Sequence, residues 1–251
     1  MHRSTRSNAA RLGALLGGLS AAATASAQPS SDWEWMVEPY IWAASIGTDM
    51  RTISPPTEAD SDSSFSDVID KLDGVFMGRV EGRTDRYGMF ADFIYLGLAD
   101  GTQRRVLRTE TDLDARLLDL AFSVRIGGAR DSGLDLYGGA RYIDVDLTTR
   151  FVPDNPAFAP RSLDAGQSYL DFLAGARYTW PLAERWSLAL RGDASFGETD
   201  GTWSASAMGG YRTGNGAWLF GYRYMQAEFG NGNADVTLDL SGPVVGYGFR
   251  F

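Results

Sequence analysis

After residue 27 the chain never runs 18 apolar residues in a row, yet apolar side chains recur at every second position through most of it. That period belongs to strands whose two faces meet different surroundings, and it excludes a bundle of membrane helices. Ten such segments stand out: 33–47, 74–84, 87–98, 112–126, 134–150, 168–182, 186–197, 202–213, 216–229 and 235–251. Gly, Asp, Asn and Pro separate them, residues that favour turns and interrupt pairing.

The connections differ in length. Gaps 85–86, 183–185 and 214–215 are two or three residues, and 127–133 is rich in Gly, Asp and Ser. Gaps 48–73, 99–111 and 151–167 are long, while the remaining two are only four or five residues. Tight turns at one end, longer loops at the other and an even strand count describe an all-β, transmembrane, antiparallel up-and-down barrel of about ten strands. A soluble β-sandwich alternates as well. Trp33, Trp35, Trp180, Trp186 and Trp218 sit at strand ends, as an interfacial girdle requires. The polar face is Arg with Asp, Gly and Ser rather than a solvated mixture of Lys and Glu; of 23 basic residues only Lys71 is not Arg. These features favour the membrane barrel.

Parity assigns the two faces of each strand. Leu170, Phe172, Tyr178 and Trp180 oppose Asp171 and Arg177; Trp218, Phe220 and Tyr222 oppose Arg223. The polar face collects Glu38, Arg79, Glu81, Asp92, Asp119, Arg125, Arg141, Asp171, Arg177, Arg191, Asp193 and Arg223. Gly-Gly-Ala-Arg-Tyr at 138–142 recurs as Ala-Gly-Ala-Arg-Tyr at 174–178, with related forms at 209–212, 221–224 and 248–251. Two readings of the inward Arg compete: a cationic pore lining, or a zipper in which each Arg pairs with an acid on a neighbouring strand. Arg suits bidentate pairing, and ten strands enclose little more than side chains fill, so the zipper is the favoured expectation. Apolar parity switches at Ser241-Gly242-Pro243 and near Leu117-Leu118, where bulges are expected.

Residues 1–27 read as a cleaved secretory signal, leaving 28–251 as the barrel. Arg3, Arg6 and Arg11 precede a short apolar stretch from Leu12, and Ala25-Ser26-Ala27 is a small-residue cleavage site. Cleavage removes three Arg and no acid, leaving 20 basic against 32 acidic residues, a net charge of −12. Such a chain repels nucleic acid. It also loses the one histidine, His2, and there is no Cys, so no disulfide framework is expected despite export.

The signal, the ten amphipathic strands and the ending Tyr247-Gly-Phe249-Arg-Phe251 resemble small Gram-negative outer-membrane β-barrel proteins. Trp35-Met-Val-Glu-Pro39-Tyr40-Ile-Trp42 and Ser241-Gly-Pro-Val-Val-Gly-Tyr-Gly-Phe-Arg-Phe251 are similar to an uncharacterised, porin-like group of them. The resemblance covers essentially the whole chain after residue 27. It implies an outer-membrane location, contact with outer-membrane lipids, and delivery by the barrel-assembly machinery, with Tyr247, Phe249 and Phe251 as the assembly signal. Fold does not carry function with it. The enzymes known on such barrels share a catalytic His, which this chain lacks after residue 27, so none of their sites transfers.

No catalytic, cofactor or metal residues are therefore expected. The acidic stretch Glu58, Asp60, Asp62, Asp67, Asp70 and Asp73 has the carboxylates a Ca²⁺ ion wants but not the spacing of an EF-hand, and reads as a solvated loop. Within it, 66–73 is expected to form a short amphipathic helix, with Val68, Ile69 and Leu72 on one side, that caps the barrel mouth. Two functions remain: a non-enzymatic barrel, closed inside, acting in envelope structure or surface interaction; or a narrow passive channel for small solutes.

Overall fold

The computed structural model describes residues 33–53, 56–104, 107–128, 131–153, 159, 161–230 and 234–251; the expected signal segment lies outside them. Twelve strands follow in chain order: β1 (Glu34–Trp42), β2 (Ser45–Ile53), β3 (Pro56–Ser63), β4 (Leu72–Arg83), β5 (Tyr87–Arg104), β6 (Leu107–Ile126), β7 (Gly133–Pro153), β8 (Arg161–Pro181), β9 (Trp186–Gly197), β10 (Gly201–Arg212), β11 (Gly216–Gly230) and β12 (Ala234–Arg250). One helix, α1 (Phe65–Asp70), lies between β3 and β4. Ten strands, β1 and β4 to β12, pair with their neighbours, and β12 returns to β1. The barrel is closed. At the seam Phe251 N–H donates to Trp35 O at 2.9 Å and Trp35 N–H to Phe251 O at 3.2 Å. Closure leaves the ten-strand ring with no edge strand, the condition for backbone in hydrocarbon.

The two extra strands extend the wall at the loop end. β1 and β2 pair with β12 in one continuous register, interrupted only at Ala43-Ala44, where Ala43 N–H still donates to Pro243 O. The expected first strand, 33–47, is thus two, and β2 pairs onward with β3. Gaps expected as loops are partly strand: β5 and β6 pair up to Arg104 and Leu107, and β7 and β8 up to Phe151 and Arg161. The rim is uneven, since β5 to β8 run 18 to 21 residues while β9 and β10 run 12.

Neither expected bulge exists. β11 and β12 keep one register through Ser241-Gly242-Pro243, and β5, β6 and β7 keep theirs through Leu117-Leu118. The switch in apolar parity has another cause. Leu117 and Leu240 point inward, onto an apolar layer inside the barrel, while Leu120 and Val245 face outward. An apolar side chain on the inner face breaks the alternation without breaking the strand.

The outer face carries the belt. Val37, Phe76, Leu120, Phe172, Leu190 and Phe220 are among its exposed apolar side chains. On β8 it runs from Leu170 to Trp180, ten steps of about 3.3 Å which, tilted as barrel strands are, rise about 25 Å. Rings cluster at the turn end: Tyr178 with Trp180 at 4.3 Å, Trp186 with Tyr211 at 4.9 Å, and Trp218 with Tyr247 at 5.1 Å. Further pairs, Phe172 with Phe196 and Trp203 with Tyr224, stand toward the loop end. These match the apolar band and flanking aromatic girdles of a barrel that crosses a membrane with strands. No described helix is long and apolar enough to cross.

Helix α1 starts at a capping box. Ser64 Oγ accepts from Asp67 N–H, and the Asp67 carboxylate accepts from Ser64 N–H at 2.9 Å. Of its expected apolar side only Val68 is buried; Ile69 is exposed, and Leu72 is exposed too, already in β4. The helix ends too early for Leu72 to share its face, and it lies against β2 and β3 at the rim.

Candidate functional site

The lumen holds two layers. Toward the loop end Trp42, Met77, Ile94, Leu117, Ile143, Met225 and Val244 form an apolar cluster drawn from seven strands. Below it, toward the turns, lies a charge network. Alternation alone accounts for both, because each strand sends every second residue inward and the inner residues change from apolar to charged along its length.

The network centres on Arg141. Its guanidinium donates from Nε and Nη2 to both oxygens of Asp119 at 2.7 and 2.8 Å, from Nη2 to Asp193 at 2.8 Å, and from Nη1 to Thr202 Oγ1 at 2.8 Å. Neither Arg141 nor Asp119 exposes any surface. Asp193 is held further by Ser204 Oγ, by Tyr137 Oη and by Arg191 Nε at 3.0 Å. Arg191 lies 5.0 Å from the ring centres of both Phe90 and Tyr137. Gly175, two residues before Arg177, gives Tyr137 its place: a Cβ there would lie 2.5 Å from the phenol. At Gly139, the matching position of the first copy, a Cβ would instead meet the β6 backbone at Leu120 and Ala121.

Nearer the turns Arg177 spans the lumen, donating to Glu81 on β4 at 2.6 Å and to Asp135 on β7 at 2.9 Å. Arg125 donates to Asp135 at 2.8 Å, and Arg79 to Glu81 at 2.8 Å, with the Arg79 guanidinium 3.8 Å over the Phe90 ring. Glu38 lies 3.9 Å from Arg79. Asp92 accepts from Tyr40 Oη at 2.6 Å and faces Arg79, Arg191 and Arg223 at 3.6, 3.7 and 3.8 Å.

All twelve inward residues named from parity line the interior, but Asp171 has a different role from the one expected. It pairs with no Arg among the described residues. Its carboxylate accepts from Ser195 Oγ and Thr199 Oγ1 and from the N–H groups of Glu198 and Thr199, so it closes the β9–β10 turn. Parity assigns a face and not a partner: Asp171 lies beside Arg141 in register, yet the turn presents more donors. Asp135, Tyr137, Tyr40, Thr202 and Ser204 were missing from the expected network. Asp135 and Tyr137 share parity with Arg141, which was the available signal. In the copies at 209–212 and 248–251, Arg212 and Arg250 pair with Asp131 and Glu34 at the turn rim rather than in the core.

Outside the lumen, no three acidic or histidine side chains gather as a metal site among the described residues. At the loop end Lys71 pairs with Asp100 at 2.8 Å, which raises the ammonium's pKa and lowers the carboxylate's. The Ser64 hydroxyl and N–H likewise hold Asp67 below the usual carboxylate range.

The outer membrane protease OmpT of Escherichia coli has a similar structure, with a TM-score of 0.55 and 10% identity over 88% of this chain and 97% of that one. The fold is that of the Gram-negative outer-membrane barrels. The translocator domain of the autotransporter NalP from Neisseria meningitidis also matches, with a TM-score of 0.42 and 14% identity over 97% of this chain and 96% of that one. So does the attachment invasion locus protein Ail of Yersinia pestis, at 0.36 and 11% identity over 87% and 98%. At such identities likeness extends to fold alone. No family model matches the chain, and no curated protein does.

Proposed function

We propose that the protein is a non-enzymatic outer-membrane barrel of a Gram-negative cell, closed inside, which acts in envelope structure or surface interaction through its loop end. The observation that carries this reading is the apolar layer across the lumen on the loop side of a buried charge network. Arg141, Asp119 and Asp193 lock three strands together in a fully buried network, and the Trp42–Met225–Val244 layer shuts the loop side with apolar side chains. Support for the non-enzymatic part comes from the sequence, which has no Cys and no His after His2, and from Glu81, Asp119, Asp171 and Asp193, whose oxygens are engaged by Arg, Tyr, Ser and Thr. In this reading residues 1–27 are a signal removed on export, Tyr247, Phe249 and Phe251 address the chain to the barrel-assembly machinery, and the belt contacts outer-membrane lipid.

Planar-bilayer recording tests it. The refolded protein should give no steady single-channel steps. Regular ion-conducting steps from heat-modifiable, folded protein would replace this reading with that of a narrow passive channel.

A further inference from the structure

Arg223 is the exception in the network. Its side chain is 9% exposed, yet it makes no hydrogen bond among the described residues. Its contacts are Asp92 at 3.8 Å and the face of the Trp42 ring at 4.9 Å. Asp92 is a poor counter-ion for it. That one carboxylate accepts from Tyr40 and is shared by Arg79, Arg191 and Arg223, all at 3.6 to 3.8 Å. Arg79 and Arg191 each have a closer acid, at 2.8 and 3.0 Å, whereas Arg223 has none. A buried guanidinium with unmade hydrogen bonds is costly unless an acceptor supplies them.

A cavity of about 160 Å³ lies against it. Arg79, Arg177, Arg191 and Arg223 line one part of it, and Ala189, Met208, Leu219 and Val244 another. A second cavity of about 350 Å³ shares Glu38, Arg177, Ala189 and Leu219 with the first and reaches the turn end, where Arg83, Arg185, Arg212 and Arg250 line it. Together the two cavities run from the turn end, where Asp131 and Glu184 stand among the Arg, to Val244 and Met208 at the apolar layer.

We propose that this pocket binds a short-chain carboxylate. The carboxylate takes the open donors of Arg223, and its alkyl tail lies on Leu219, Met208 and Val244. Size selects the class. A cavity of about 150 Å³ holds a molecule the size of benzene, whereas a single water needs only about 10–15 Å³, so an acid of about six heavy atoms fits. Arg79, Arg177 and Arg191 are matched by Glu81, Asp135 and Asp193, so Arg223, which only shares Asp92 at 3.8 Å, supplies the charge that selects an anion; the apolar wall selects against a fully hydrated one such as chloride.

The test is butyrate binding to the whole folded barrel in detergent or nanodiscs, read by calorimetry and by saturation-transfer NMR, with folding checked by heat-modifiable migration. Wild type should bind butyrate saturably, and neither n-butanol nor chloride at equal concentration should displace it. Arg223→Met should weaken binding about tenfold or more, the loss of a charge-assisted hydrogen bond. Leu219→Trp fills the pocket while keeping every charge and should weaken it similarly; it decides the matter if Arg223→Met does not fold. Absence of saturable binding to folded wild type, displacement by butanol or chloride, or unchanged affinity in a folded Leu219→Trp each overturns the proposal. The binding measurement does not involve conductance, so its outcome is separate from that of the bilayer recording.

Discussion

Arg141 on β7 grips Asp119 on β6 with two parallel hydrogen bonds of 2.7 and 2.8 Å, and neither side chain reaches solvent. Removing one partner of such a pair strands a buried charge, at a cost of about 3–5 kcal/mol. Asp119→Asn should therefore lower unfolding stability by that order in urea titrations of the refolded barrel. Arg116→Met is the control, because Arg116 pairs with Asp144 at 2.7 Å but is 30% exposed. Its loss should cost less than about 1 kcal/mol. Equal effects of the two substitutions would mean the lumen is wet enough to screen Arg141.

Asp171 should behave as a turn lock rather than as an ion-pair partner. Four donors converge on it, two of them the N–H groups of Glu198 and Thr199. Asp171→Ala should speed amide exchange at Glu198 and Thr199 and cost about 1–3 kcal/mol. In a double-mutant cycle its coupling to Arg141→Met should be small beside that of Asp119→Ala, since Arg141 reaches Asp171 only through Thr202 and Ser195. A coupling as large as that of Asp119 would restore the direct pairing.

The contrast between Asp119 and Asp171 shows what the sequence reveals and where it stops. An apolar belt outside and a packed, charged lumen inside impose alternation, so the face of Arg141, Asp119 and Asp193 could be read from parity. Partner choice depends on which turn folds back over a side chain, and parity is silent on that. Where strands rise past the apolar belt the constraint ends. Residues 99–104 and 161–167 continue as strand because the ladder continues, but with polar side chains on both faces they look like loops. Leu117 and Leu240 misled in the opposite sense, since an apolar layer inside the barrel mimics a bulge.

The helix cap should carry a pH signature. Folding lowers the Asp67 pKa through the Ser64 hydroxyl and N–H, so its contribution is present above the unfolded carboxylate value of about 3.9. It is lost as pH falls through the lower folded value. Amide exchange at Val68 and Ile69 should accordingly rise in acid more than intrinsic rates allow, and Asp67→Asn should already show raised exchange at pH 7. Identical protection in the variant would remove Asp67 from the cap.

The backbone role of Phe251 and its proposed recognition role separate by substitution. Its backbone closes the seam through two hydrogen bonds with Trp35, while its ring, 78% exposed, packs on little. A side chain that contributes so little to packing is not needed for the folded state, and under the proposed reading its use is in recognition by the assembly machinery. Phe251→Ala keeps the backbone pair and should refold in vitro with near-normal stability, within about 0.5 kcal/mol as surface substitutions usually are. In cells the same variant should show less heat-modifiable barrel in the outer membrane and more degraded or periplasmic chain. Deleting Phe251 removes the backbone pair too and should also weaken the refolded barrel. If Phe251→Ala assembles in cells as well as wild type, the ring is not a recognition element; if it fails to refold in vitro, the ring acts through the structure instead.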